Sequence, residues 1–215
     1  GGFRTRGQWQ RRWVRALFGD ALRRAGDDRE PFLAAWRETP TGWSDMQRRQ
    51  YTDLITALPD NLLVKTDRML MGFALEGRVP FLDHRLVELG LSLPDRLKVR
   101  GGEGKWLLKR WAEPLLPPGH LQRPKQGFHV PIGDWLSGDM AYAVGRRLLR
   151  NRGIRAWFRP AGVERLAAAR QAGRGGAREL FGLMQFAIWH RLFIEQPGLK
   201  PSPDEDPLDW IASAR

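Results

Sequence analysis

Hydrophobic residues recur along this chain at three- and four-residue intervals, the spacing of a helix with one apolar face. From Gln8 to Arg24 the residues Trp9, Trp13, Leu17, Phe18 and Leu22 predict one amphipathic helix. Glu30 to Glu38 predicts a short second helix around Phe32, Leu33 and Trp36. Ser44 to Leu58 predicts a third, with Met46, Tyr51, Leu54, Ile55 and Leu58 on one face and Pro59 as its stop. Asp60 or Asn61 then caps a helix running to about Leu75, with Gly77 marking its end. Pro80 disfavours helical backbone before it, so Val79 to Leu82 reads as extended. Asp83 is the candidate N-cap of a helix from His84 to about Leu93, which Pro94 closes.

The second half continues the helical pattern. Gly101 to Gly104 reads as a turn before a helix from Lys105 to about Leu116, which Pro114 can end earlier. Residues 118–131 are rich in Pro, Gly and polar side chains and read as loop. Helices are predicted over Trp135 to Arg150, Pro160 to Gln171 and Ala177 to Ile194. Leu180, Phe181, Leu183, Met184, Phe186, Ala187, Trp189 and Phe193 make the last of these too apolar to face solvent, so it is expected at the centre of the core. No run of strands stands out, and the chain as it stands is predominantly α-helical. Residues 1–195 are expected to form the folded part. Residues 196–215, with four prolines and several acids, read as a loose tail with Leu208, Trp210 and Ile211 as its docking points.

Composition removes several chemistries. There is no cysteine, which excludes disulfides, thiolate metal sites and a cysteine nucleophile. The four histidines, His84, His120, His129 and His190, lack the spacing of zinc ligands. No apolar run approaches the ~20 residues of a membrane span, and the N-terminus lacks the apolar centre of a secretory signal. A cytoplasmic location is therefore expected. The chain lacks an initiator methionine, which reads as a piece of something longer. The net charge of +12 raises the question of nucleic acid. The arginines are scattered in ones and twos with no dense basic tract or recognition motif, so they read as solvated helix faces.

The stretch Asp60 to Asp83, DNLLVKTDRMLMGFALEGRVPFLD, sets Lys65, Asp67, Arg68, Glu76, Arg78 and Asp83 among apolar residues. An unpaired buried charge is costly, so ions in such a segment either pair or face a site. Met69, Met71 and Phe73 between them read as core. A second tract, RPKQGFHVPIGDWL from Arg123 to Leu136, places Lys125 in a loop between Arg123 and Gly127. A long cationic side chain there can reach a ligand's phosphates, or be an ordinary solvated lysine. Glu76 and Arg78 can equally be a structural ion pair. Arg68 reads as part of a network joining helices, and Asp83 as a cap rather than a catalytic acid.

VKTDRMLMGFALEGRVPFLDHRLVE resembles the synthetase domain of glutamine-dependent asparagine synthetases, which shows a K-x-D-R-x-x-M run followed by L-E-x-R-x-P-F-L-D. RPKQGFHVPIGDWL is similar to that family's later R-x-K-x-G-F-x-x-P segment. The resemblance covers roughly Gly1 to Glu195. It implies the C-terminal helical half of an α/β, adenine-nucleotide α-hydrolase-like (PP-loop ATP pyrophosphatase) synthetase domain. It implies activation of the aspartate side chain by ATP with Mg2+, then attack by glutamine-derived ammonia with loss of AMP. On that resemblance Lys125 and Glu76 are the candidate catalytic residues, and Lys65, Asp67, Arg78, Arg123 and Gly127 line the nucleotide and substrate cleft. No metal ligand is assigned within the chain.

The family's S-G-G-x-D-S loop, which binds ATP phosphates, is absent, as is the glutaminase domain with its N-terminal cysteine. Gly1-Gly2-Phe3 matches only the end of the D-E-x-F-G-G-Y segment. The missing N-terminal half of the enzyme is therefore the expected partner, and the chain alone is expected neither to hydrolyse glutamine nor to bind ATP tightly. Oligomeric state stays open, a homodimer included. Two other readings remain: a relative that adenylates for a different amide bond, of the β-lactam synthetase or lasso-peptide cyclase type, and a non-catalytic basic binding module.

Overall fold

A computed structural model describes residues 9–25, 29–123 and 130–212. The described chain is mostly helical with one two-stranded ribbon. In order, the elements are α1 (Arg11–Leu17), α2 (Asp20–Arg24), α3 (Glu30–Glu38), α4 (Asp45–Ile55), a π-helical turn (Leu58–Leu63) and α5 (Val64–Met71). They continue as a 3-10 turn (Pro80–Leu82), α6 (His84–Ser92), α7 (Asp95–Lys98), β1 (Val99–Arg100), β2 (Glu103–Gly104) and α8 (Trp106–Ala112). After α9 (Ile132–Trp135) come α10 (Gly138–Leu148), α11 (Arg152–Trp157), α12 (Pro160–Gln171) and α13 (Ala177–His190). The chain divides into two compact units, one of Gly1–Gly26 with Gly127–Arg215 and one of Asp27–Gln126.

The first unit has an apolar core. Leu17, Val144, Leu148, Ile154, Leu166, Leu180 and Leu183 are fully buried there, each burial stabilising by about 1.5–3 kcal/mol. Small residues set the helix spacing. A Cβ on Gly162 of α12 would stand 2.2 Å from the Ala16 carbonyl oxygen, and one on Gly145 of α10 would stand 2.4 Å from Ala167 Cβ. The expected helix from Gln8 to Arg24 is two helices, because the chain pairs with another segment at Phe18 and Gly19. Phe18 bridges to Phe158, and the Gly19 N–H donates to the Trp157 carbonyl at 3.0 Å.

The expected helix over Trp135 to Arg150 is also broken, at Leu136 and Ser137. Gly138 adopts a positive φ of 51°, and the Arg170 guanidinium donates to the carbonyls of Leu136 and Gly133 that the break leaves free. α13 is central, as expected, through Leu180, Leu183 and Ala187. Its other side differs from the expectation, with Trp189 exposed, as is Phe193 in the π-helical turn Arg191–Glu195 that follows it. The last segment docks through a half-buried Leu208 and buried Trp210 and Ile211. Asn151, itself fully buried, accepts from the Ile154 N–H at 2.9 Å and donates to the carbonyls of Ile211 (2.8 Å) and Ala187 (3.2 Å).

The second unit is built differently. Its one buried hydrophobic residue among the described residues is Ala35; the rest of its buried set is Thr39, Thr52, Thr56 and Lys98. Partly buried apolar side chains, among them the Trp43–Tyr51 pair, are joined there by polar bonds. Ser44 and Gln47 form a reciprocal capping box at α4, and Ser44 Oγ donates to Asp95 Oδ1 at 2.8 Å. Lys98 Nζ donates to Gln50 Oε1 and to the Leu91 carbonyl, and burial pushes its pKa down. Arg48 lies over the Trp36 ring at 4.2 Å while donating to Thr39 Oγ1.

Candidate functional site

The charged signature segment lies in the second unit. Pro59 does not stop the chain's helical course there, contrary to expectation. It sits in the first turn of the π-helical stretch, where no intrahelical acceptor is needed for the missing N–H. That stretch runs directly into α5, so neither Asp60 nor Asn61 caps it. α5 ends before Leu75 and without help from Gly77. The Leu75 N–H donates to the Leu70 carbonyl and the Ala74 N–H to that of Met71, the paired bonds of a Schellman ending. Ala74 takes the left-handed position usually given to glycine, with φ 55°.

After this ending residues 75–79 run without helix or strand. Glu76 and Arg78 lie in this irregular stretch, two residues apart. Glu76 Oε1 and Arg78 Nε are 3.6 Å apart, with side chains 68% and 86% exposed. A pair this exposed contributes only about 0–1 kcal/mol, so both groups are available to a ligand at little cost. Gly77 between them lies against α5, where a Cβ would meet Leu70 Cδ1 at 2.7 Å.

Lys65 and Asp67 are exposed on α5. They are two apart on a helix and do not face each other. No ion pair or side-chain hydrogen bond joins Lys65, Asp67 or Arg68 to another described residue, so the inter-helix network expected for Arg68 is not present among them. Arg123 is exposed after the 117–122 turns. Lys125, Gly127 and His129 lie outside the described residues. The structure thus brings Glu76 and Arg78 together and leaves Lys65, Asp67 and Arg123 as separate exposed groups.

The expected extended stretch Val79 to Leu82 is not present: Val79 has φ −122° and ψ 76°, and Pro80–Leu82 forms a 3-10 turn closed by the Leu82 N–H to the Val79 carbonyl. Asp83 caps α6 as expected, accepting from the Arg85 N–H at 3.0 Å. The Arg85 guanidinium grips both carboxylate oxygens and holds the Asp83 pKa below the usual range. The Gly101–Gly102 pair is a hairpin turn between β1 and β2, both glycines at positive φ. Lys109 bonds Glu103 across its base and lowers that carboxyl's pKa. It is a turn, as expected, though it also forms the short ribbon that the sequence reading missed.

Met69, Met71 and Phe73 are not core residues, contrary to expectation. They are 62%, 52% and 82% exposed. Nothing in residue type separates them from core residues. Among the described residues no group of three or more His, Asp or Glu side chains is placed to hold a metal ion, and no helix is long and apolar enough to cross a membrane.

A sequence model of the asparagine synthase family matches residues 3–191. Asparagine synthetase (glutamine-hydrolysing) 1 of Bacillus subtilis is 34% identical over 172 residues, covering 80% of this chain and 27% of that protein. A Mycobacterium bovis protein, whose name also places it among the glutamine-hydrolysing asparagine synthetases, is 36% identical over 160 residues, covering 72% and 24%. Asparagine synthetase (glutamine-hydrolysing) 3 of Bacillus subtilis is 38% identical over 102 residues, covering 43% and 16%. The chain spans about a quarter of the length of the first of these relatives. No solved structure matches.

Proposed function

The chain belongs to the asparagine synthase family, and from that premise we propose that it forms part of an ATP-dependent, glutamine-using asparagine synthetase. The observation that carries the reading is the family match over 3–191, which takes in both charged tracts. In the proposed reaction the aspartate β-carboxylate attacks the α-phosphorus of ATP and pyrophosphate leaves. Ammonia from glutamine then attacks the resulting acyl carbon of β-aspartyl-adenylate, and AMP leaves. Names of the similar proteins favour asparagine over other amide products.

Within this reading the chain is the helical C-terminal half of a PP-loop type α/β domain, working in the cytoplasm. Lys125 sets a positive charge against the phosphates as negative charge shifts onto the leaving pyrophosphate. Glu76 offers a carboxylate to the aspartate amine, and Arg78 beside it restrains that carboxylate's position. Lys65, Asp67, Arg123 and Gly127 form the remaining cleft wall. Exposed cations fit a polyphosphate substrate. The described residues include no cluster fit to hold Mg2+, so the ion is assigned no ligand here and no step passes through it.

The test is co-expression with a polypeptide carrying the S-G-G-x-D-S loop and the glutaminase domain. The pair should form asparagine from aspartate, ATP and glutamine, and Lys125→Ala should lower the rate by about 10²–10³. Full activity in that variant removes Lys125 from the chemistry. The isolated chain should show no glutamine hydrolysis and no tight ATP binding by calorimetry.

A further inference from the structure

We propose that the first unit carries a binding face for single-stranded nucleic acid, where residues 11–24 lie against residues 152–159. Such binding is a further function, separate from the proposed amide chemistry and independent of ATP and aspartate.

The positive charge is concentrated in one unit. The first unit holds 20 basic side chains against 10 acidic, the second 16 against 14, and 19 of those 20 are arginines. Between Asp139 and Glu164 the chain carries six arginines and no acid, and residues 9–19 carry Arg11, Arg12 and Arg15 and no acid. The fold lays these two tracts side by side. The Arg159 N–H donates to the Leu17 carbonyl at 2.8 Å and the Gly19 N–H to the Trp157 carbonyl at 3.0 Å, around the Phe18–Phe158 bridge. The Arg23 guanidinium donates to the Arg15 carbonyl at 2.9 Å, and Arg155 stands three residues before Phe158. Arg15, Arg23, Arg155 and Arg159 are thus gathered about one crossing, all exposed. Asp20, 3.5 Å from Arg159, is the one carboxylate paired with any of them among the described residues.

Aromatic rings stand among these cations. Trp157, at the crossing itself, is 37% exposed. α11 rests on the end of α13, where a Cβ on Gly153 would stand 2.4 Å from the His190 ring. Next to His190, the rings of Trp189 and Phe193 stack with centroids 6.4 Å apart and are 48% and 64% exposed. Arg152, beside Gly153, is exposed as well. A positive track with aromatic platforms is what a single strand requires: its phosphates meet guanidinium groups while its unpaired bases stack on the rings. Arginine suits this role better than lysine, because its planar fork grips phosphate oxygens in pairs and also stacks on aromatic faces.

The same features disfavour other occupants. A second copy of the chain presents the same positive face and is repelled. A duplex meets the arginines but keeps its base faces stacked inward, which leaves the exposed rings without partners. A helix lying in a membrane surface sinks one continuous apolar face into the lipid, whereas α11 sets Arg152 and Arg155 among its exposed positions.

The test titrates the full chain into a fluorescent oligothymidylate of about 20 nucleotides and follows anisotropy, without ATP or aspartate. Each phosphate contact contributes about 0.7 to the slope of log affinity against log salt. Four contacts, from Arg15, Arg23, Arg155 and Arg159, should therefore weaken binding about fiftyfold between about 50 and 200 mM salt. Arg15→Gln with Arg155→Gln should bind at least tenfold more weakly at low salt and flatten the slope by about 1.4. Phe193→Ala should weaken binding at least about fivefold with the slope unchanged, because stacking carries no counterion release. These side chains are exposed, so the variants should keep the parent's circular dichroism. Arg49→Gln with Arg96→Gln, exposed in the other unit, should bind as the parent does. Inorganic polyphosphate and a duplex of equal length should both compete more weakly than the unlabelled single strand. No binding at low salt, unchanged binding by either the Arg15/Arg155 or the Phe193 variant, or an equal loss in the Arg49/Arg96 variant would each overturn the proposal. So would equal competition by polyphosphate or duplex, or preferential binding to phosphatidylglycerol vesicles.

Discussion

Replacing Asn151 with alanine should destabilise the first unit by about 2–4 kcal/mol. The side chain is fully buried and makes three hydrogen bonds. Its Oδ1 caps α11 by accepting from Ile154, and losing such a cap costs about 0.5–2 kcal/mol. Its Nδ2 is the described partner of the Ile211 carbonyl, and a buried carbonyl left without a donor costs about 1–3 kcal/mol. The Ala187 carbonyl suffers less, because the Arg191 N–H also donates to it. Asn151→Asp keeps the cap but turns an oxygen toward two carbonyls, so it should cost more. Its penalty should depend on pH. Burial beside carbonyls raises the folded-state pKa of the introduced acid, so stability should recover as pH falls through that value toward the unfolded value of about 3.9. Urea unfolding followed by tryptophan fluorescence and near-UV circular dichroism reads both variants. A loss under about 1 kcal/mol for Asn151→Ala would refute the claim that this side chain ties α11, α13 and the C-terminal segment together.

Ala74→Gly should stabilise the second unit by about 0.5–1 kcal/mol, since relief of the left-handed backbone (about 1–2 kcal/mol) exceeds the entropy glycine adds; denaturant midpoints will show a shift of the opposite sign if the helix ending is misread. Gly162→Ala should cost upwards of about 2 kcal/mol, because its Cβ meets the Ala16 carbonyl oxygen at 2.2 Å. Gly90→Ala, inside α6 with open space around it, should instead gain about 0.5–1 kcal/mol. The folded-state pKa of Asp83 is depressed, first by its hydrogen bonds to the Arg85 side chain. Its contribution is therefore present above the unfolded value and lost as pH falls through the folded one. Arg85→Ala should raise the Asp83 titration midpoint in carboxyl NMR, and an unmoved midpoint would contradict the assignment.

Elements whose ends are written in local chemistry were legible in the sequence. α3, α12 and the Asp83 cap of α6 follow from helix period, proline at the first turn and a carboxylate at the N-cap. Elements settled by distant contacts were not. The break at Gly19 depends on Trp157, and that at Leu136 on Arg170, neither of which is near in sequence. Pro59 misled because a proline that ends one helix also suits the first turn of the next. α11 was missed for want of length, and Ala74 hides a helix ending that glycine would have announced.

The site divides the same way. The charged tract and its family were legible from residues 60–83 and 123–136, because motif spacing survives without a structure. That Met69 and Phe73 face outward was not, since apolar type alone does not say which side of an element the rest of a protein will cover.

The most direct measurement is pyrophosphate release from ATP by this chain reconstituted with a polypeptide supplying the S-G-G-x-D-S loop. The account expects release that requires aspartate, yields AMP and asparagine when ammonia or glutamine is added, and collapses in Lys125→Ala. Release that ignores aspartate, or that answers instead to a different carboxylic acid, would contradict assignment of this chain to asparagine synthesis.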